Sequence, residues 1–209
     1  GTYTLGGVTS GGKMELGTEG DNHVLNVTKY DNVDNVQVIA SFDKTYTEGA
    51  VYLTYSVKPY SGSSVMFWLV NSADQLIRLP LFTNDGNVKV TGEGITEAVL
   101  GTFTAGEWYD VSAKVDLETK LIDITVKNRN SGTTLSKTGI ATSISDISSM
   151  RIQTWSADGT SSFDNIVLKS GRSETVNDND DNDYIINDNF ENGLSADYKQ
   201  VGSAASTLD

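Results

Sequence analysis

The chain has 209 residues, 37% of them hydrophobic, a formal net charge of −13 and no cysteine. That length fits one large β domain or a domain with a tail, and the charge argues against nucleic acid and against anionic membrane surfaces, which call for basic patches. The absence of cysteine excludes thiol catalysis, disulfide staples and zinc–thiolate sites. Secretion stays open, because calcium can hold an extracellular domain that has no disulfides. No stretch reads as a signal peptide or a membrane span, and the start at Gly1 instead of Met reads as an excised or processed fragment.

Residues 2–30 carry Gly-rich turns between short strand-like pieces, and His23–Thr28 alternates as a strand. Val36–Phe42 follows. Val51–Val57 alternates cleanly, with Val51, Leu53, Tyr55 and Val57 on one face. Val65–Val70 is apolar on both faces, which predicts a central, covered strand or one with a face lining a groove. Ile77–Phe82 carries Pro80, which predicts an edge or a bulge. Asn84-Asp85-Gly86-Asn87 signals a hairpin into Val88–Val90.

The segment Gly106–Lys127 predicts two strands meeting at a turn over Asp116–Lys120. Val111, Ala113 and Val115 pair with Ile122, Ile124 and Val126 on the buried face. Trp108 reads as a core residue. No amphipathic helix is legible beyond one short turn over Thr142–Ser149. In Met150–Trp155, the residues Arg151, Gln153 and Trp155 share one face, opposite Met150, Ile152 and Thr154. Ser162–Lys169 reads as a closing strand in which strict alternation puts Asp164 inward with Ile166 and Leu168. A carboxylate there is costly without a partner, and a metal ion is a good one. Many short strands at regular spacing predict an all-β, antiparallel two-sheet jelly-roll sandwich over residues 1–171.

After Gly171 the composition shifts. Residues 172–183 form an acidic Asn/Asp linker. Asp178, Asp180 and Asn182 have calcium-loop spacing, but Asp183 stands where such a loop has Gly and Asn189 where it has Glu, so the run reads as a solvated linker. Residues 184–209 read as a strand-forming tail. It completes this domain, exchanges into a neighbouring copy, or starts a tandem repeat.

Trp108-Tyr-Asp-Val-Ser-Ala-Lys-Val-Asp116, Ile122-Asp-Ile-Thr-Val126, Met150-Arg-Ile-Gln-Thr-Trp155 and Phe163-Asp-Asn-Ile-Val-Leu168 follow one another in this order. Over roughly residues 1–170 the pattern resembles the concanavalin A-like (laminin G-like) jelly rolls attached to secreted bacterial polysaccharide-degrading enzymes. In that family a stretch like Asp188-Asn-Phe-Glu-Asn-Gly193 lies on the first strand; here it stands at the end of the chain. The resemblance implies a calcium ion held by Asp164 with Glu191, Asn189 and Asp188. The Gly20–His23 turn is expected to add a ligand from Asp21 or Asn22.

The sugar-binding candidates are Trp155, Gln153, Arg151, Trp68, Arg78 and Tyr60. Aromatic faces stack on pyranose C–H groups, polar side chains bond hydroxyls, and Arg78 with Arg151 would suit uronic acids. A catalytic reading is weaker: the Glu-x-Asp-x-x-Glu pattern of laminarinase-like jelly rolls is absent, and His23 lacks the Gln-x-His and Tyr neighbours of jelly-roll lyases. The expectation is a non-catalytic module of a secreted bacterial protein that anchors it to a polysaccharide such as plant cell-wall pectin or hemicellulose. The alternative is a structural or adhesive repeat of a bacterial surface protein, assembling with another copy by strand exchange. A polysaccharide lyase or hydrolase ranks below both.

Overall fold

A computed structural model describes residues 2–6, 12–30, 35–171, 183–192 and 198–201. The Asn/Asp-rich run at 172–182, on which the calcium-loop spacing falls, lies outside the described residues. In chain order the strands are β1 (Thr2–Gly6), β2 (Gly12–Glu19), β3 (Asn22–Lys29), β4 (Asn35–Tyr46), β5 (Ala50–Lys58), β6 (Ser63–Val70), β7 (Leu76–Phe82) and β8 (Asn87–Gly92). They continue with β9 (Ala98–Thr102), β10 (Tyr109–Asp116), β11 (Leu121–Asn128), β12 (Thr134–Ala141), β13 (Ile147–Ser156), β14 (Gly159–Gly171), β15 (Asp183–Asp188) and β16 (Tyr198–Val201). Among the described residues there is no helix. Thr142–Ser149 is accordingly not a helical turn: Ile144 is buried and the chain runs extended into β13.

The front sheet runs β16-β1-β4-β13-β6-β7-β8-β9 and the back sheet β12-β11-β10-β5-β14-β3-β2. Every pairing is antiparallel except β1 with β16. The two sheets pack face to face as a jelly-roll sandwich. The core lies between them: Val51, Leu53, Tyr55 and Val57 of β5 face Val65, Phe67 and Leu69 of β6, with Tyr55 and Phe67 stacked at 4.6 Å. Tyr55 also donates to the carbonyl of Leu79, so its hydroxyl is satisfied inside the core.

The β10–β11 hairpin has the register that alternation predicts, with Val111 opposite Val126, Ala113 opposite Ile124 and Val115 opposite Ile122. Pro80 sits in an interior strand, where the register shifts between Arg78 and Leu81, so the proline is housed by a bulge and not by an edge. Trp108 corrects the sequence reading. It lies outside the core, half-buried, with the Arg129 guanidinium 5.3 Å over its ring.

The closing strand corrects another expectation. Phe163 pairs with Val57 and faces the core, whereas Asp164 pairs with Ser56 and points to the other side of the sheet. A bulge between Asp164 and Val167, with Asn165 at φ 50°, then returns Ile166 and Leu168 to the core. One inserted residue reverses the inside–outside pattern, so Asp164 does not share a face with Ile166 and Leu168. Beyond the bulge, β15 pairs antiparallel with β14 of the same chain, Ile166 opposite Asp188 and Leu168 opposite Ile186. Ile186 and Phe190 are buried.

Candidate functional site

Strand β6 is buried along its whole length. Val65, Phe67 and Leu69 fill the core, while Met66, Trp68 and Val70 form a separate apolar cluster with Leu76 and Leu81 on the outer side of the front sheet. The sheet register sets a row of side chains across this face. Arg151 of β13 stands opposite Trp68 of β6, which stands opposite Arg78 of β7, which stands opposite Thr91 of β8. In the next row Gln153 is opposite Met66, and at the end of β13 Trp155 is opposite Ser64. Five of the six sugar-binding candidates thus share this face.

The two arginines flank one indole and differ in charge balance. Arg78 lies 5.2 Å over the Trp68 ring and donates to the Thr91 hydroxyl at 3.2 Å. Burial lowers its pKa from the usual guanidinium value. Arg151 pairs with Asp74 at the β6–β7 turn. Among the described residues, three buried polar atoms here have no hydrogen-bond partner: Trp68 Nε1, Arg151 Nε and Gln153 Oε1. Buried polar groups are rarely left so, and three of them fall in one patch. Trp155 is 53% exposed, beside this patch, and its carbonyl accepts from Ser63 Oγ.

Tyr60 is elsewhere. It sits on the β5–β6 loop against Gly159, where a Cβ would come within 2.2 Å of its ring. There it lines a cavity of about 460 Å³ with Glu19, Asn26, Lys58, Thr160 and Ser162. Sequence reasoning put it with the tryptophans because it is aromatic; the loop carries it to the end of the back sheet.

The calcium candidates meet in part at a corner formed by the β2–β3 turn, the β14 bulge and the end of β15. Asp164, 3% exposed, accepts from Asn22 Nδ2 at 3.0 Å, from the Asn165 backbone at 2.6 Å and from Asn165 Nδ2 at 2.9 Å. Glu191 accepts from the His23 backbone at 2.9 Å, with His23 Nδ1 at 3.1 Å from its other oxygen. Those two hydrogen bonds lower the Glu191 pKa below its ordinary value. Asp188 and Asn189 are turned to the tail's own backbone, accepting from the amides of Phe190 and Glu191. Asp21 is exposed in the turn before β3. Among the described residues no three His, Asp or Glu side chains converge as a metal cage. Asn22, offered with Asp21 as the ligand from this turn, donates to Asp164; what the sequence missed is His23, which ties Glu191 to β3 and whose only signal was proximity to a Gly turn.

The sequence matches no protein-family profile and no curated protein. Several solved structures share the fold. Lectin II from Ulex europaeus is 14% identical at a TM-score of 0.52, with 80% of this chain and 90% of the lectin covered. A sialidase is 13% identical at 0.52, covering 81% of this chain and 18% of the sialidase. Tailspike protein 2 of bacteriophage CBA120 is 12% identical at 0.55, covering 83% of this chain and 29% of the tailspike domain. The chain therefore spans a minor part of the sialidase and of the tailspike and nearly the whole of the lectin. The chain has a lectin-like β-sandwich fold.

Proposed function

We propose that the chain is a non-catalytic carbohydrate-binding module that anchors a secreted bacterial protein to a polysaccharide such as plant cell-wall pectin or hemicellulose. The observation that carries the reading is the outer row of the front sheet, where Trp68 lies between two arginines amid unpartnered polar atoms. Exposed Trp155 offers a ring for pyranose stacking, and the half-buried guanidinium of Arg151 lies on the same face of β13. The carboxylate at this patch, Asp74, is tied to Arg151, which supports binding over hydrolysis, for which two opposed carboxylates are the usual device. Affinity-gel electrophoresis against a polysaccharide panel tests it. Trp155→Ala should weaken retardation by about tenfold or more, equivalent to ~1.4 kcal/mol, without changing the melting temperature. No retardation of the intact chain by any polysaccharide would overturn the reading.

A second reading, a surface-protein repeat that assembles by strand exchange, draws on the docking of β15 as a separate strand on β14. A neighbouring copy's tail could make the same contact.

We also propose a structural calcium ion at Asp164. The support is a buried carboxylate whose partners are the Asn165 backbone N–H and the side-chain amides of Asn22 and Asn165, and a half-turn of either side-chain amide presents its oxygen. Calcium should raise the melting temperature over the chelated protein, and Asp164→Asn should abolish that response.

A further inference from the structure

We infer, building on the carbohydrate reading above, that the sugar held on the front sheet is acidic and that Arg78 reads its carboxylate. The argument is a charge inventory of one row. Of the two guanidiniums that flank Trp68, Arg151 has its counter-charge in Asp74. Arg78, half-buried, makes one hydrogen bond to the neutral hydroxyl of Thr91 and rests on the indole. Among the described residues no carboxylate pairs with it. The chain carries 28 acidic residues against 15 basic ones, so an acid to pair with Arg78 was abundant and the register placed none there.

A partly desolvated cation without a counter-ion is costly, and a ligand carboxylate removes that cost. The guanidinium is planar and presents parallel N–H donors, which fit a carboxylate two-on-two. Trp68 Nε1 and Gln153 Oε1 beside it are enclosed, so the half-buried Arg78 is the group of this pair of rows that can meet a ligand's charge. A neutral sugar carries no charge to offer and would leave Arg78 without a counter-ion.

The long-range field sharpens the expectation. A chain of net charge −13 repels an acidic polymer at low ionic strength, where the screening length is about 30 Å at ~0.01 M. At ~0.15 M that length is about 8 Å and the close Arg78 contact survives. Affinity should therefore hold or rise with salt over this range, opposite to the fall expected of a basic surface on a polyanion.

The probes are polygalacturonate and hyaluronan, each beside its carboxyl-reduced neutral counterpart, with dextran sulfate as a non-carboxylate polyanion. Retardation of the intact chain should be about tenfold stronger on one acidic polymer than on its reduced form. Arg78→Gln should bring the two to the same value by weakening only the acidic one, and Arg78→Lys, charged but unforked, should fall between. Equal binding of acidic and reduced polymers, an Arg78→Gln protein that keeps the preference, or equally strong binding of dextran sulfate overturns the assignment of a carboxylate to Arg78. Binding of neutral polysaccharides that is lost in Trp155→Ala would leave the module reading intact while the acidic one falls. Binding of nothing at all overturns both.

Discussion

At Asp164 a single backbone conformation decides where a charge goes. Alternation alone sends this carboxylate inward; Asn165 at φ 50° adds the extra residue that sends it outward, and asparagine tolerates that conformation better than most residues. Nothing in the pattern Phe-Asp-Asn-Ile announces a bulge, so the residue was legible and its face was not. The same corner gives a pH prediction. His23 donates to Glu191 and holds its pKa below the ordinary 4.5, so the folded state favours the carboxylate. A depressed folded pKa stabilises above the unfolded value and loses that stabilisation as pH falls through the folded one. The melting temperature of the intact chain should exceed that of Glu191→Gln at neutral pH, and thermal scans below pH 4.5 should show the difference closing. A gap that stays constant to lower pH would show that Glu191 contributes through packing alone. Phe190, fully buried beside it, should be less forgiving: Phe190→Ala should cost ~3–5 kcal/mol in a denaturant titration.

Among the strands, those with clean alternation or continuous apolar runs were legible, because burial on one or both faces writes itself into the spacing. β5, β6, β10 and β11 are of this kind, and the unusual β6 announced both its core face and the outer face that became the candidate site. The strands β9 and β12 were not. They close opposite sheets at an edge, and β12 exposes most of its length, so a residue pattern set by solvent carries no period. The β7–β8 pair that positions Arg78 depends on a glycine. Gly92 has φ 139°, and a Cβ there would lie 2.3 Å from the Leu76 carbonyl oxygen. Backbone atoms cannot swing aside as a side-chain tip does. Gly92→Ala should therefore destabilise by ~1–3 kcal/mol, seen as a fall of roughly 2–4 °C in melting temperature per kcal/mol. Because Arg78 stands opposite Thr91, the residue before Gly92, the same variant should lose part of its retardation on the probe polymers.

For the molecule as a whole, the telling feature is that β14 is longer than either partner on its β3 side. β3 covers Gly159–Phe163, the bulge intervenes, and β15 takes up the same lane from Ile166 to Ser170. Two segments separated by most of the chain share one edge of one strand, so the back sheet is continuous only when the tail is in place. Without it the lane past Ile166 is an open edge, the kind of surface that recruits another strand. A chain ending at Gly171 should lose the burial of Ile186 and Phe190, ~1.5–3 kcal/mol each, and melt roughly 5–20 °C lower. A synthetic peptide spanning 184–192, added in excess, should recover part of that loss by mass action. Light scattering separates two of the three architectures the sequence left open, pairing within the chain and exchange between copies. With β15 on its own β14, the full chain elutes as a monomer at every concentration, and the shortened chain is the one that associates. If the full chain is instead a dimer that truncation converts to a monomer, the tail works between copies and the exchange reading takes the place of the cis pairing. Equal masses together with equal melting temperatures would deny the tail any part in folding.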